Sequence, residues 1–215
     1  MGQCNLLCQA LHRGSGSGVN MIYIIRHGQT EKNKANLLQG RSEHPLNETG
    51  ILQAEEAGEW FADHGIIFDA VYSSPLERAK DTGRIAAGKG SDFLPNIDER
   101  LIEMEYGPYE GVDLRTPPPE IIKFFSDFVH NPAPEGMEQL SEVTARVGAF
   151  LEEIRERAEA EEILVSTHAI AMKGALEYLT PGSNGAYWSK YIGNCAVYAV
   201  PVKYGKFGIP YEIRA

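Results

Sequence analysis

Short, mostly apolar segments alternate with longer amphipathic ones along most of the chain. The segments 22–25, 69–72 and 162–166 are four or five residues long, which is typical of strands, and the first is apolar throughout, which predicts burial on both faces. Near the C-terminus, the segment 196–200 and a segment around Tyr211 are expected to pair about an intervening turn. Because strands and helices alternate, the sequence predicts a layered α/β fold with a mainly parallel sheet.

Helix signals separate the predicted strands. A helix over 47–64 begins at a capping asparagine, and a helix over 75–87 is expected to use Ser74 as its cap and Pro75 as its first residue. The clearest helix spans about 137–160, where apolar side chains recur at spacings of three and four residues: Leu140, Val143, Val147, Phe150, Leu151 and Ile154.

Composition and charge exclude several classes of protein. The chain has 215 residues, of which 43% are hydrophobic and 23% charged, as in ordinary globular proteins. Its 30 acidic and 20 basic side chains give a formal net charge of −10, which opposes nonspecific binding to nucleic acid or anionic membranes. No apolar run approaches the roughly 18 residues of a spanning helix. We therefore expect neither a nucleic-acid partner nor a membrane partner, and any bound anion must be held by a local cluster of donors.

The first 20 residues differ from the rest of the chain. They contain a Gly-Ser repeat at 14–18 that resembles a flexible linker, so we interpret 1–20 as a leader or extension and 21–215 as a single domain. Cys4 and Cys8 could share a helix face and hold a metal ion, although two ligands make a weak site. With Cys195 they are too few and too scattered for a disulfide framework, which indicates a reducing, cytoplasmic environment.

Two histidines follow predicted strands. Arg26 and His27 come directly after the first strand, and Thr167 and His168 follow the strand at 162–166. Ligands of parallel α/β sheets bind beyond the carboxyl ends of the strands. An isolated histidine at such a position is most often structural, but several donors that converge at one edge indicate an anionic ligand.

These residues resemble the histidine phosphatase superfamily, also called the phosphoglycerate mutase-like family. The opening motif of that family is matched by Arg26-His27-Gly28-Gln29-Thr30. Further matches follow in the expected order over nearly all of 21–200: Asn33, Gln39-Gly40, Pro45-Leu46, Thr49-Gly50, Ser73 to Ala79, Leu101-Ile102-Glu103, Gly107, Glu110-Gly111 and His168. The resemblance implies a three-layer α/β/α fold of the phosphoglycerate mutase-like type.

The resemblance also implies a role for each matched residue. His27 would accept the phosphoryl group as a phosphohistidine, while Arg26, Arg78 and His168 would donate to the phosphate oxygens. Asn33 would add a neutral donor, the missing Cβ of Gly28 would let the backbone approach the phosphate, and Gln39 and Gly40 would line the substrate site. The scheme needs no metal ion and no cofactor.

The proton donor is the least determined of these residues. Glu103 and Glu105 would lie on the same face of an extended segment, so their spacing cannot choose between them. The family's Glu-x-x-x-Gly pattern falls on Glu103 and Gly107, which favours Glu103 as the donor. Glu110 is expected to hydrogen-bond its own loop.

Two side-chain groups have two interpretations each. His44 is expected either to line the site or to lie on the surface, and Phe124, Phe125 and Phe128 either pack in the core or form a substrate wall. Ala169 stands where glycine is frequent in the family and would narrow the pocket by one methyl group.

The motifs alone do not separate phosphatases from mutases. Cofactor-dependent phosphoglycerate mutases of this family carry a long insertion with extra basic residues after Gly111, whereas this chain has about two dozen residues there, with Arg115 and Lys123 as the cations. This favours a phosphatase that hydrolyses small monoesters. The alternatives are a cofactor-dependent mutase and a noncatalytic phosphate-binding protein. A homodimer is compatible with the sequence.

Overall fold

The computed structural model describes residues 19–214, which form one mixed seven-stranded sheet with helices on both faces. The strands are β1 (Asn20–Arg26), β2 (Ala70–Ser73), β3 (Asn96–Ile97), β4 (Ile163–Thr167), β5 (Val197–Lys203), β6 (Lys206–Phe207) and β7 (Tyr211–Arg214). Their order is β3-β2-β4-β1-β5-β6, and β7 also pairs with β5. The first four strands are parallel, and β5, β6 and β7 extend them by antiparallel pairing.

The helices form the two outer layers. They are α1 (Glu31–Lys34), α2 (Glu48–Asp63), α3 (Glu77–Ala86), α4 (Pro119–Ser126), α5 (Leu140–Ile154) and α6 (Ala169–Leu179), with short 3₁₀ turns between some of them. Within the described part of the chain, no helix combines the length and apolar character of a membrane span.

Strand β1 separates two hydrophobic cores. Ile22 and Ile24 pack in the larger core with residues of α4, α5 and α6, whereas Tyr23 and Ile25 pack in a second core with residues of α2 and α3. Successive side chains of a strand point to opposite faces, so a continuous apolar run gives β1 two buried faces. The strand at the centre of the fold is therefore a rigid support for the residues that follow it.

Several predicted boundaries are wrong by a few residues. Strand β1 begins at Asn20, inside the predicted leader 1–20, and residues 1–18, including Cys4 and Cys8, lie outside the described residues. Helix α3 begins at Glu77 rather than at Pro75, because the Ser74 hydroxyl accepts from the Leu76 amide in a turn that precedes the helix. Helix α5 covers only the middle of the predicted 137–160 segment.

Candidate active site

The pairing of β1 with β4 brings the two strand-end histidines together. Arg26 lies opposite Thr167 in the parallel register, and the His27 amide donates to the Thr167 carbonyl at 2.9 Å. The His27 and His168 rings meet edge to face with centroids 5.1 Å apart. The segment before β5 closes the other side, since the Asn194 side chain donates to the His27 carbonyl at 2.9 Å.

His27 is held as a neutral ring with one free acceptor nitrogen. Its Nδ1 lies 2.7 Å from the Gly28 carbonyl, which can only accept, so Nδ1 carries the hydrogen and Nε2 carries the lone pair. The side chain is only 3% exposed. Burial, followed by the positive charges of Arg78 and Arg26, lowers the pKa of His27 well below its usual value. A neutral imidazole with an accepting Nε2 is the form that acts as a nucleophile.

Two arginines beside His27 have no anionic partner. Arg78 is fully buried and donates only to backbone carbonyls, those of Gly40 at 2.6 Å and Ser42 at 2.8 Å. Arg26 likewise donates to the Ile192 carbonyl at 2.5 Å. Within residues 19–214 neither guanidinium forms an ion pair, and the Nε atoms of both are buried without a partner. Arg78 is a buried cation that forms no ion pair with any described residue, which is unfavourable, and with the partly buried Arg26 beside it the pair is suited to an anionic ligand.

The structure separates Glu103 from Glu105. Glu103 is 7% exposed, and its carboxylate accepts from the amides of Met104, Ile170 and Ala171 at 2.9 to 3.3 Å. Two of these amides belong to the first turn of α6, whose dipole favours a negative charge there. Glu105 instead pairs with Arg41 at 3.4 Å, outside the cavity that Glu103 lines.

A cavity of about 360 Å³ lies over this group of side chains. Its polar end is formed by seven of the residues predicted from the sequence: Arg26, His27, Asn33, Gln39, Gly40, Arg78 and Glu103. Its apolar wall includes Leu37, Leu114, Phe125, Phe128 and Tyr191. The Phe-rich segment is therefore divided, since Phe124 is buried in the core while Phe125 and Phe128 face the cavity.

The loop that contacts Arg78 is held by Glu110. The Glu110 carboxylate accepts from the amides of Arg41 at 2.6 Å and Ser42 at 3.2 Å. Gly40 has a φ of +57°, and a Cβ there would lie 2.1 Å from the same carboxylate. The local hydrogen-bonding role expected for Glu110 thus supports the carbonyls that orient the Arg78 guanidinium.

The two amide side chains at the polar end have their oxygens occupied. The Asn33 Oδ1 accepts from the Thr30 amide at 3.1 Å, and the Gln39 Oε1 accepts from the Thr30 hydroxyl at 2.8 Å. Any contact of these side chains with a ligand would therefore come from their NH₂ donors.

Two predicted residues do not line the cavity. A Cβ on Gly28 would lie 2.4 Å from the Gly50 carbonyl, and the Gly28 amide donates to the Thr82 hydroxyl at 2.9 Å. The absent side chain of Gly28 thus permits close packing against α2, while its role in the approach to a phosphate stays a prediction. His168 is fully buried behind His27, and its Nε2 lies 2.7 Å from the Ser74 hydroxyl. Its Nδ1 is buried without a partner.

Lys173 lines the cavity, although no sequence motif singled it out. It shares a face of α6 with Ala169 and Ile170, which line the cavity as well. Its Nζ donates to the Trp188 carbonyl at 2.8 Å and lies 5.2 Å from the centre of the Phe128 ring. In the sequence, only the four-residue spacing of Lys173 from Ala169 would have placed the two residues on one face of a helix. That inference requires a predicted helix over this segment.

Comparisons with known proteins agree with this geometry. A family model described as "Histidine phosphatase superfamily (branch 1)" matches residues 22–210. A 2,3-bisphosphoglycerate-dependent phosphoglycerate mutase from Parvibaculum lavamentivorans is 33% identical over 175 residues, which cover 74% of this chain and 80% of that protein. Phosphoserine phosphatase 1 from Hydrogenobacter thermophilus is 30% identical over 173 residues, which cover 78% of this chain and 80% of that protein.

A solved structure extends the similarity to the whole fold. The phosphoserine phosphatase of Entamoeba histolytica, crystallised with phosphoserine, superposes with a TM-score of 0.75 at 25% identity, over 90% of this chain and 94% of that one. The predicted three-layer α/β/α architecture is thereby confirmed. Because the family match spans nearly all of the described residues, the chain belongs to the histidine phosphatase superfamily.

Proposed function

We propose that this protein is a metal-independent phosphatase that hydrolyses small phosphate monoesters through a phosphohistidine on His27. The observation that carries the proposal is the accepting Nε2 of a buried, neutral His27 beside two arginines that lack an anionic partner. Phosphoryl transfer requires a positioned nucleophile and compensation of charge on the nonbridging oxygens, and these side chains are suited to both tasks. Similarity to phosphatases and to a mutase supports a reaction of this class.

In the first step, His27 Nε2 forms a bond to phosphorus while the bond to the leaving oxygen breaks. Glu103 donates a proton to that oxygen, so the alcohol leaves in neutral form. The imidazole becomes positively charged, and its Nδ1–H bond to the Gly28 carbonyl stabilises that charge. In the second step, the Glu103 carboxylate removes a proton from water, whose oxygen attacks phosphorus and breaks the bond to Nε2.

The phosphate would be surrounded by donors during both steps. The guanidinium groups of Arg26 and Arg78 supply charged donors, and the NH₂ groups of Asn33 and Gln39 supply neutral ones. If the Ser74 hydroxyl donates to His168 Nε2, the hydrogen of His168 lies on Nδ1, the buried atom without a partner. His168 would then be neutral, since burial lowers the pKa of His168 well below the usual value, and its Nδ1–H would be a donor that lies behind the His27 ring.

The residues that line the cavity favour hydrolysis over the phosphoglycerate mutase reaction. Arg115 is 65% exposed and paired with Asp113, and Lys123 is exposed on α4, so neither cation of the short segment after Gly111 lines the cavity. A mutase must hold a second phosphorylated group while the first is on the histidine. The mutase remains the second candidate because several of the similar proteins carry that name.

A screen of phosphate monoesters with EDTA present tests the proposal. We expect turnover of several small esters that does not fall when the chelator is added, and no conversion of 3-phosphoglycerate to 2-phosphoglycerate with 2,3-bisphosphoglycerate present. Isomerisation that exceeds hydrolysis would identify a mutase instead. Binding of phosphate without turnover of any ester would identify a noncatalytic protein.

The Glu103→Gln variant tests the proton donor. Glutamine preserves the shape of the side chain but cannot donate an acidic proton, so we expect kcat for alkyl phosphates to fall about 10²-fold or more. Aryl phosphates such as p-nitrophenyl phosphate have leaving groups that need little protonation, and their first step should slow far less. The measurement is the pre-steady-state rate of alcohol or phenol release for the two esters.

Glu105→Gln is the matched control, because it makes the same change outside the cavity. It should leave the ratio of alkyl to aryl rates unchanged. Equal slowing of both esters by Glu103→Gln would assign the acid to another group.

A further inference from the structure

Lys173 is a buried cation that the proposed phosphatase chemistry does not use. Its side chain is 9% exposed on α6, and no ion pair of Lys173 occurs among the described residues. Burial lowers the pKa of Lys173 to about 8, while the nearby charge of Glu103 raises it and that of Arg26 lowers it. The hydrogen bond to the Trp188 carbonyl satisfies one donor of Lys173 but does not compensate its charge.

The ammonium group has donors left for a ligand. One of its three N–H groups binds the Trp188 carbonyl, and the charge lies over the Phe128 ring. Phe128 belongs to the apolar wall, whereas His27, Arg26 and Arg78 form the polar end of the same cavity. Lys173 therefore faces the leaving group of a substrate rather than the phosphoryl group that His27 would accept.

The charges of the side chains that line the cavity support the same interpretation. Three of the described side chains that line it are cationic, namely Arg26, Arg78 and Lys173, and Glu103 is the acidic one. A phosphate monoester dianion compensates two positive charges. When Glu103 carries the proton that it will donate, one positive charge remains without a partner, at the end where the leaving group binds.

We propose that Lys173 binds a carboxylate on the leaving group, so that the preferred substrates are phosphate monoesters of hydroxy acids. This inference rests on the proposed function, because it takes the phosphate to lie at His27. The carboxylate would accept hydrogen bonds from Lys173 Nζ, and the carbon skeleton of the leaving group would pack between Phe128 and the rest of the apolar wall. Lys173 is thus a specificity residue and has no part in bond making or breaking.

Two esters that differ only at this group provide the test. In sn-glycerol 1-phosphate a hydroxymethyl group replaces the carboxylate of D-3-phosphoglycerate, and the configuration at the middle carbon is the same. We expect the wild-type protein to prefer 3-phosphoglycerate in kcat/KM by about tenfold or more, the usual contribution of a hydrogen bond to a charged group. Lys173→Met, which keeps the length of the side chain, should abolish that preference, and Lys173→Arg should retain most of it.

Lys123→Met is the matched control, since it removes a lysine from the exposed face of α4 without changing the cavity. It should leave the preference intact. Because Lys173→Met introduces an apolar group into a buried position, circular dichroism and Tm should first show that this variant is folded. If it does not fold, loss or retention of the preference in Lys173→Gln decides the question.

Binding distinguishes failure of this inference from failure of the proposed function. In a His27→Ala background, calorimetry gives the Kd of both esters without turnover, before and after Lys173→Met. If this binding preference depends on Lys173 while the wild-type protein hydrolyses neither ester, the carboxylate site is supported and the phosphatase is refuted. Hydrolysis of both esters with equal kcat/KM by the wild-type protein would refute the carboxylate site and leave the phosphatase standing.

Discussion

Replacing His27 with alanine should reduce turnover of every phosphate monoester by about 10⁴-fold or more, as expected when an enzyme loses its nucleophile. His27 is the buried imidazole at the polar end of the cavity whose Nδ1 is fixed by a carbonyl, so its Nε2 alone is positioned to attack phosphorus. The measurement is kcat for p-nitrophenyl phosphate and for one alkyl phosphate.

His130→Ala is the control for this change. His130 is bonded to Asp127 with its side chain 80% exposed, outside the cavity, so kcat should stay near the wild-type value. Residual turnover in His27→Ala within tenfold of the wild type would remove His27 from the role of nucleophile, whatever the stability of the variant.

Replacing Arg78 with lysine should lower kcat/KM about 10²-fold to 10³-fold, although the charge is retained. The guanidinium already donates to the carbonyls of Gly40 and Ser42 through its two NH₂ groups, and each of these groups keeps a second hydrogen for an anion. A lysine cannot hold that loop and contact a phosphate oxygen with the same geometry. We also expect vanadate, an analogue of the transferred group, to raise the Tm of the wild-type protein and not that of Arg78→Lys.

Arg84→Lys makes the same change on the same helix. Arg84 pairs with Asp81 on the outer side of α3 and does not line the cavity, so its replacement should alter neither kcat/KM nor the Tm shift with vanadate. If both variants lost activity equally, the effect would belong to the stability of α3 and not to the anion site.

The residues at the polar end of the site could be predicted from the sequence because they directly follow strands. Strands that pair in the sheet bring the residues after them together. His27 and His168 each follow a parallel strand, and the pairing of those strands makes them neighbours. Period-two spacing could not separate Glu103 from Glu105, since both face the same side of an extended segment. The structure separates them through contacts distant in sequence: the amides of α6 bind Glu103, and Arg41 binds Glu105.

The features of the site that could not be predicted from the sequence depend on tertiary packing. Helices α4 and α6 were not predicted, and both carry part of the cavity wall. Because α6 was not predicted, the sequence could not place Lys173 on a helix face, and its contacts with Trp188 and Phe128 join segments that are distant in sequence. The packing requirement at Gly28 could not be predicted, because the Gly50 carbonyl, which excludes a side chain there, is 22 residues away in sequence.

The covalent intermediate is the most direct test of the account. The wild-type protein is mixed with excess p-nitrophenyl phosphate, quenched in alkali within the first turnover, digested and analysed by mass spectrometry. We predict one acid-labile phosphoryl group on the peptide that contains His27, formed as fast as p-nitrophenol is first released. Turnover at the full rate with no phosphoryl group on His27, or with the group on His168, would contradict it.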